Sequence, residues 1–344
     1  MHDAAAAPVD VAPPAPPPAP NDTTRWLVIA NPAAGRAGPN SRAWRRLERA
    51  LRDAGVALDI EWTRAAGDGA RIAAAAQARG RHRFLVAGGD GSLHDVVNGL
   101  LRQSVAAART SPTVVPLALG TGNDWSRSLA LPRDPVALAA LIRRDAGVPH
   151  DAGRIDLLAT SGAVRETRWF INVAGAGFDA HVIERMPART PSRLAYLFSA
   201  LRELVRYRSP LFRLGLEESG DGDVIRTEEL QGRRLLAFVA NGRYCGGGMH
   251  VAPTALLDDG QFDVVTIAAL NLWQALPKLA RLYSGSLLQD PAVQRRVAAR
   301  VRIDADPPSG IEADGQFVGH TPALFSVERG VLRTLRGDRE TSQR

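Results

Sequence analysis

The 344-residue sequence contains a single cysteine, Cys245, and a single lysine, Lys278. One cysteine excludes an intramolecular disulfide and suits a reducing compartment such as the cytoplasm. No glycine directly precedes the lysine, which excludes a Walker-type phosphate loop. If the chain binds nucleotides, it must bind their phosphates through another motif.

Aromatic residues make up only 6% of the chain, and no basic run is interleaved with them. This composition gives no support to a platform on which single-stranded nucleic acid stacks. No apolar run approaches the roughly 20 residues that a membrane-spanning helix needs. The seven histidines show no metal-ligand spacing, and a Gly-x-Ser-x-Gly elbow is missing. These gaps disfavour zinc and serine hydrolases.

Proline and alanine dominate residues 1–23, which we predict to be a disordered tail. This stretch lacks the basic and apolar regions of a secretory signal. Residues 337–344 are predicted to form a second flexible tail. The net charge of +7 would attract nucleic acid, anionic lipid or phosphorylated ligands.

Strands alternate with helices in the first 150 residues, which predicts a parallel sheet with helices on both faces. Ser41 is expected to cap the first helix, and another helix is expected over 92–101. In such sheets ligands bind at the carboxyl ends of the strands, where this sequence places its polar glycine turns. The predicted strands are 26–30, 58–62, 84–87 and 114–119, the last broken by Pro116.

Short β-rich segments separated by turns follow, which predicts a second, mainly antiparallel, β-sandwich-like domain. An amphipathic basic helix interrupts them at 192–208. Such a helix either docks on an anionic bilayer or covers a sheet, and we favour the second interpretation. The predicted strands are 154–159, 168–174, 211–216, 234–240, 262–269, 300–305 and 324–328.

Two glycine turns with acids end the third and fourth strands: Gly88-Gly-Asp-Gly-Ser92 and Gly120-Thr-Gly-Asn-Asp124. Glycines let backbone N–H groups approach phosphates, and a helix starting at Ser92 would add its positive dipole. Asp90 would then act on a metal or on ordered waters. The alternative is a tight turn in which Asp90 caps the helix.

Later acids offer weaker signals. The segment Leu256–Asp263 could bind a hard cation through a carboxylate and carbonyls, although a plain turn is favoured. A buried aspartate in Glu312-Ala-Asp-Gly-Gln316 could accept a hydroxyl proton, the role of a general base in phosphoryl transfer.

Taken in order, these motifs resemble the diacylglycerol kinase catalytic-domain superfamily, in its soluble bacterial branch of diacylglycerol and YegS-like lipid kinases. The resemblance runs from about Trp26 to about Leu335. It rests on these elements: Asn31-Pro-x-x-Gly35, Gly88–Ser92, His94–Gly99, Pro116–Asp124 and Glu312–Gly315. Ser92 stands where threonine is usual, and His94-Asp95 where Asn-Glu is more frequent.

The resemblance implies an ATP- and Mg²⁺-dependent kinase that phosphorylates a lipid hydroxyl, most simply a diacylglycerol-like one, in a cleft between two domains. The nucleotide domain would span 24–150, completed by about 322–336, and the lipid-substrate domain 151–321. Asp314 matches the catalytic base. Asp90, Asp124 and Asp151 match an acidic network, with Asp156 an alternative to Asp151.

The resemblance also implies the ligands of ATP and of a structural magnesium ion. The magnesium ligands would be Asp259 and the carbonyls of Leu256 and Gln261. The ATP-binding residues would be Asn31, Thr63, Gly88, Gly89, Asp90, Gly91, Ser92, Leu93, His94, Asp95, Gly120, Thr121 and Asn123.

The implied location is the cytoplasm, peripheral at the inner face of the membrane, with no nucleic-acid partner. Monomer and homodimer both stay open, as does the identity of the lipid. Two other functions compete with this interpretation: an NAD-kinase-like phosphotransferase, and a catalytically silent lipid-binding protein of the same fold.

Overall fold

The computed structural model describes residues 24–35, 38–104, 111–185, 201–220 and 223–338. Residues 1–23 and 339–344 of the predicted tails and residues 192–200 of the amphipathic segment lie outside these ranges. Gly337, the first residue of the second predicted tail, donates its N–H to the Leu129 carbonyl at 3.0 Å. Within them, residues 201–206 are helical (α7), with Leu204 buried and Val205 exposed. No helix of the described residues is long and apolar enough to cross a bilayer.

Four parallel strands with intervening helices form the first part of the chain, as predicted. The strands pair in the order β2–β1–β3–β4. The strands are β1 (Trp26–Ala30), β2 (Leu58–Trp62), β3 (Arg83–Gly88) and β4 (Thr113–Ala118). The helices are α1 (Arg42–Asp53), α2 (Asp68–Ala78), α3 (Asp90–Ser104), α4 (Asp124–Ser128) and α5 (Pro135–Arg144).

Local sequence explains the bounds of several of these elements. Ser41 caps α1 by accepting a hydrogen bond from the Trp44 N–H at 3.0 Å. Trp44, Leu47 and Leu51 form the buried face of that helix. The predicted break at Pro116 is wrong: β4 continues through it, and Pro116 stands opposite Val86 in the ladder with β3. β17 pairs with β4 only at Thr113, so the missing N–H of proline interrupts no ladder on that edge.

The remaining strands are mainly antiparallel, which confirms the predicted fold class. They are β5 (Val148–Leu158), β6 (Val164–Phe170), β7 (Val173–Gly177), β8 (Leu211–Gly220), β9 (Asp223–Ala240), β10 (Tyr244–Cys245), β11 (Met249–His250), β12 (Phe262–Ala268), β13 (Val293–Ala298), β14 (Arg300–Asp306), β15 (Gly310–Ala313), β16 (Gln316–His320) and β17 (Ala323–Thr334). The helices here are α6 (Phe178–Arg185), α7, α8 (Leu272–Ala275) and α9 (Leu279–Ser284).

β17 joins the two regions of the fold. Along its length it pairs antiparallel with β5 and β14, and at Arg333 it pairs in parallel with Thr113 of β4. Its end is buried: the Thr334 hydroxyl donates to the Val114 carbonyl at 2.8 Å, and Leu332 and Leu335 belong to the core of the parallel sheet. β17, the last strand of the described residues, therefore stabilises the first sheet.

Two further apolar clusters fill the antiparallel region. Phe170 stacks on Phe262 with ring centroids 5.5 Å apart, inside a cluster that also contains Phe325. A second cluster lies beneath α8 and α9 and includes Phe238 and Val265. Close packing in these clusters fixes the positions of the strands that carry residues of the candidate site.

Candidate active site

The two predicted glycine turns pack backbone against backbone at the carboxyl ends of β3 and β4. The Gly120 N–H donates to the Gly88 carbonyl at 3.0 Å, and a side chain at Gly120 would strike the Cα of Gly89. A side chain at Gly35, whose φ is +52°, would lie 2.7 Å from the Leu119 carbonyl oxygen. Only glycine permits this approach, which brings the two turns to one sheet edge.

Asp90 ties these turns together. α3 begins at Asp90, so the predicted start at Ser92 is wrong by two residues. The Asp90 carboxylate does not serve as a cap for its own helix. It accepts the N–H of Asn123 at 2.8 Å and that of Asp124 at 3.0 Å. The acid that begins α3 therefore fixes the position of the neighbouring turn.

Asp124 connects the first region of the fold to the second. One carboxylate oxygen accepts from Arg127 at 2.6 Å, and the other accepts from the Gly247 N–H at 2.6 Å. Only 4% of Asp124 is exposed. Because Gly247 lies between β10 and β11, this contact places the β10–β11 hairpin against the glycine turns.

Burial makes both carboxylates electrostatically unfavourable. Burial, together with the charges of Asp124 and Asp314, raises the pKa of Asp90 to about 6, although the backbone hydrogen bonds from Asp124 and Asn123 oppose this. Burial also raises the pKa of Asp124, although Arg127 and the hydrogen bonds from Gly247 and Gly248 oppose this. Carboxylates that resist ionisation in each other's presence form a site that favours a bound cation.

Asp314 lies on the tight turn between β15 and β16, where both Asp314 and Gly315 have positive φ, 49° and 81°. Its carboxylate accepts the N–H groups of Ile171, Asn172 and Val173 at 3.1, 3.0 and 3.3 Å. These donors explain a wrong prediction: the strand expected over 168–174 is two strands, because residues 171 and 172 bind Asp314 where β6 gives way to β7.

His94 reaches Asp314 from α3, with its Nδ1 3.5 Å from a carboxylate oxygen. Its Nε2 lies 3.3 Å from the amide nitrogen of Asn98. The amide orientation of Asn98 is fixed because its oxygen accepts the Trp169 N–H at 3.0 Å. The Asn98 amide nitrogen also donates to the His94 and Trp169 carbonyls, both at 3.0 Å, which occupies its two hydrogens. Nδ1 is therefore the ring nitrogen that faces Asp314, and Nε2 packs against the Asn98 amide.

A cavity of about 320 Å³ lies between these elements. The predicted residues that line it are Gly89, Asp90, Gly91, Leu93, Thr121, Asp124 and Asp314. The predicted residues Gly88, Ser92, His94, Asp95, Gly120 and Asn123 belong to the same turns or helix but do not line it. The structure therefore brings the two glycine turns and the late Ala-Asp-Gly turn to one space.

Asn31 and Thr63 follow the neighbouring strands at the same sheet edge. The Asn31 amide donates to the Ser92 hydroxyl at 3.0 Å, which links the loop after β1 to α3. The Thr63 N–H donates to the Ala30 carbonyl at 2.9 Å, directly after β2. Neither residue lines the cavity, so both stand at its periphery.

Three more lining residues, Gly122, Gly315 and Gln316, lie within the quoted motifs. The sequence motifs did not predict the other lining residues: Trp125, Ile171, Asn172, Val173, Cys245, Gly246 and Gly247. The run Cys245-Gly-Gly-Gly248 was the available signal, since consecutive glycines beside a short strand indicate close backbone approach. Burial raises the pKa of the Cys245 thiol well above its usual value, as do the charges of Glu312 and Asp124. That thiol is a packing group and not a nucleophile.

Two more buried acids lie behind the Asp314 turn. Glu312 accepts the Gly315 N–H at 2.8 Å, and burial together with the charge of Asp179 raises its pKa well above the usual range. Burial also raises the pKa of Asp179, to about 6, although the nearby backbone N–H groups of Ala180 and Asp179 oppose this. Neither carboxylate oxygen makes a hydrogen bond of good geometry within the described residues. The pair is thus favoured to keep a proton near neutral pH.

Asp151 lies outside the cavity. Its carboxylate accepts the Gly260 N–H at 2.7 Å and the Gly330 N–H at 2.8 Å. The alternative, Asp156, accepts from Arg154 at 3.1 Å and from Thr167 at 2.6 Å. Of the two acids, Asp151 is the one that contacts the Asp259 turn, through the Gly260 N–H. If Asp151 belongs to the acidic network, its link to that network would involve this turn.

The predicted structural magnesium site has an electrostatic basis at Asp259. Burial raises the pKa of Asp259, and the charges of Asp151 and Asp263 raise it further. Leu256 is half exposed, and the Gln261 N–H donates to the Asp259 carboxylate at 3.1 Å. One carboxylate with carbonyls and water fits Mg²⁺. Across the described ranges, no group of three or more His, Cys, Asp or Glu side chains could hold a metal alone.

Two family models match the chain in the order that the fold suggests. The diacylglycerol kinase catalytic domain matches residues 25–155, and the YegS C-terminal NAD kinase beta sandwich-like domain matches 172–336. A Xanthomonas campestris protein named "Probable lipid kinase YegS-like" is 32% identical over 285 residues, which cover 81% of this chain and 84% of that protein. The chain belongs to this family of lipid kinases.

Other members agree with this assignment. The diacylglycerol kinase of Bacillus subtilis is 28% identical over 301 residues, covering 88% of this chain and 92% of that protein. A diacylglycerol kinase structure from Bacillus anthracis matches with a TM-score of 0.64 at 20% identity, over 91% of this chain and 97% of that one. The resemblance and the fold class are therefore confirmed, and the lipid kinase is a phosphotransferase with an alcohol group as acceptor.

Proposed function

We propose that this lipid kinase transfers the γ-phosphoryl group of ATP to the hydroxyl of a diacylglycerol-like lipid, with Mg²⁺. One observation carries the proposal: Asp314 faces the Gly88–Ser92 and Gly120–Asp124 turns across a single cavity. A phosphoryl donor on the turns and an acceptor hydroxyl at Asp314 would meet there. Phosphoryl transfer consists mainly of this positioning and of charge stabilisation.

The phosphates of ATP would lie against the glycine turns. Gly89 and Gly91 present backbone without side chains to the cavity, and Thr121 adds a hydroxyl. The N-terminus of α3 points its dipole at the same space. In the absence of a lysine nearby, backbone N–H groups would bind the phosphates. Asn31 and Thr63, at the neighbouring strand ends, would contact the nucleotide farther from the reacting phosphoryl group.

Asp314 would be the general base. Three backbone N–H donors and His94 fix the direction of its carboxylate, which is 4% exposed on its side chain and opens only toward the cavity. It would accept the proton of the lipid hydroxyl as that oxygen attacks the γ-phosphorus. Its left-handed turn conformation holds the carboxylate in place before substrate arrives.

Asp90 and Asp124 would hold Mg²⁺ through their cavity-facing oxygens and through water. When bound, the ion neutralises charge that develops on the phosphoryl oxygens. The raised pKa values of both acids support this assignment, because the Arg127 cation beside Asp124 does not offset the cost of burying both carboxylates. Asp259, with the carbonyls of Leu256 and Gln261, would hold a second, structural ion next to Asp151.

We also propose a division into a nucleotide domain, residues 24–150 completed by about 322–336, and a lipid-substrate domain, residues 151–321. The pairing of β17 with β4 supports the assignment of the last strand to the first domain. Action at the inner face of the cytoplasmic membrane follows from a lipid acceptor and ATP.

A panel assay tests the proposed function. The purified protein is incubated with γ-labelled ATP and Mg²⁺, and with diacylglycerol, phosphatidylglycerol, a sphingoid base or NAD. Label is expected in the diacylglycerol product. Label in NAD alone would establish the NAD-kinase-like alternative, and no label in any acceptor would favour the silent lipid-binding alternative.

A further inference from the structure

Exposed apolar side chains concentrate on one short segment of the second region. Trp273 is 80% exposed, Tyr283 59% and Leu276 36%, which makes three of the seven large exposed hydrophobic residues of the described chain. Isolated exposed apolar residues are ordinary, but a cluster that includes a nearly free tryptophan indicates an interaction surface. We call the side chains of Trp273, Leu276 and Tyr283 the 273–283 face.

The segment is apolar on both sides. Trp273 lies in α8 and Tyr283 in α9, and Leu276 begins the 3-10 turn Leu276–Lys278 that joins the two helices. On the opposite side Ala275 is buried, and Leu272 and Leu282 pack against the core beneath. A surface helix needs only one apolar side to cover a core, so the outward side needs a partner of its own.

Charge around the face is neutral to positive. No acidic residue occurs from Val264 to Gln289. Lys278 and Arg281 both contact the buried Asp290, at 2.5 and 3.0 Å, so two cations stand against one carboxylate. With a net charge of +7 on the whole chain, this surface is complementary to an anionic one.

The face is also joined to the cavity through a short chain of contacts. A side chain at Gly285, which ends α9, would lie 2.6 Å from the His250 ring. That ring stacks on Tyr244, with centroids 4.4 Å apart. Tyr244 precedes Cys245 and the glycines that line the cavity. The β10–β11 hairpin thus separates the face from the space in which Asp314 lies.

We propose that the 273–283 face docks this lipid kinase onto an anionic phospholipid bilayer, next to the β10–β11 hairpin that lines the cavity of Asp314. Tryptophan and tyrosine prefer the interface between lipid and water, and nearby Lys and Arg favour anionic headgroups. A bilayer fits better than a second copy because the family acts on lipids and because the surface around the face carries an excess of positive charge. That the docked bilayer supplies the lipid acceptor to Asp314 rests on the proposed function.

Vesicle binding tests the proposal without any turnover. Trp273 is the one strongly exposed tryptophan in the described chain, so its fluorescence reports the face. Vesicles of phosphatidylcholine with one third phosphatidylglycerol should shift that emission to the blue and co-sediment with the protein, and salt should weaken the binding. The double variant Trp273→Ser/Tyr283→Ser should partition about tenfold less.

A matched control is Val136→Ser, because Val136 is 66% exposed on α5 and belongs to the other region. It should bind vesicles like the wild type. The double variant should lose phosphorylation of vesicle-embedded lipid but keep that of dispersed short-chain diacylglycerol.

Equal co-sedimentation of the double variant and the wild type would overturn the proposal, as would a wild type that ignores anionic vesicles. A wild-type dimer that dissociates in the double variant, measured by sedimentation velocity, would also overturn it, because the face would then be a subunit interface. Vesicle binding that depends on the face, without phosphorylation of any lipid, would leave the docking surface standing and refute the proposed function.

Discussion

Replacing Asp90 with asparagine changes the free energy of unfolding, and this change should be more favourable at high pH than at low pH. In the wild type, burial and the charges of Asp124 and Asp314 raise the pKa of this carboxyl from 3.8 to about 6. The folded state therefore binds a proton more tightly than the unfolded chain does. The ionised carboxylate destabilises the fold at pH 8, and this destabilisation shrinks as pH falls through 6 and vanishes below about 4.

The magnitude follows from the same shift. The raised pKa corresponds to about 3 kcal/mol at pH 8 and about 1 kcal/mol at pH 4.5. An asparagine amide has one oxygen, so the variant keeps only one of the hydrogen bonds from the Asn123 and Asp124 N–H groups. That loss does not depend on pH. The stability difference between variant and wild type should therefore change by about 2 kcal/mol, or about 3 °C in Tm.

Thermal unfolding of both proteins without magnesium, at pH 8 and pH 4.5, measures this change. Glu229→Gln serves as the control, because Glu229 is an exposed acid on β9 and its removal should leave the difference the same at both pH values. Adding Mg²⁺ at pH 8 should raise the Tm of the wild type more than that of Asp90→Asn. A variant–wild-type difference that is equal at both pH values would refute the electrostatic account of this site.

Three further predictions concern other residues of the two regions. An asparagine amide stands in for Nδ1 of histidine and a glutamine amide for Nε2, so His94→Asn should keep kcat within a few-fold, whereas His94→Gln should lower kcat about tenfold at unchanged KM for ATP. Steady-state kinetics compares the two, and equal kcat values would remove His94 as a positioning residue. Asp179→Asn should raise the free energy of unfolding in urea at pH 8 by up to about 3 kcal/mol, because burial raises the pKa of this acid to about 6 and no hydrogen bond of good geometry within the described residues would be lost. A destabilised variant would contradict this. Asp259→Asn should lose one class of Mg²⁺ sites in calorimetry, whereas Asp258→Asn, whose carboxylate pairs with Arg336, should keep both; an unchanged titration of Asp259→Asn would exclude the structural site.

Local features of the sequence were enough to predict the sheet edge of the candidate site. Buried apolar runs such as 26–30 end in glycine turns, and parallel strands place those turns side by side. For Asp90 and the turn at Asn123, the sequence predicted only that both lie at the same edge of the sheet, and not that they form hydrogen bonds. Its donor groups are backbone N–H groups, which carry no sequence signature.

Longer-range features escaped prediction for physical reasons. Asp314 binds the N–H of Ile171 across 143 positions of the chain, so neither partner signals the other. The burial of Asp179 depends on how α6 packs on β15, which periodicity does not report. The exposure of Trp273 is likewise a property of the assembled surface: its sequence pattern, apolar on both sides, is also that of a fully buried helix.

The central claim, that Asp314 accepts the proton of a lipid hydroxyl in this cavity, is tested most directly by the variant Asp314→Asn. Asparagine tolerates the left-handed conformation at this turn, where φ is 49°. Its single oxygen cannot accept from all three backbone N–H groups, so the variant should fold with a Tm lowered by roughly a few degrees. With γ-labelled ATP, Mg²⁺ and diacylglycerol, the account predicts a rate of lipid phosphorylation about 10²- to 10⁴-fold below the wild type. A folded Asp314→Asn protein that phosphorylates the lipid at the wild-type rate would contradict it.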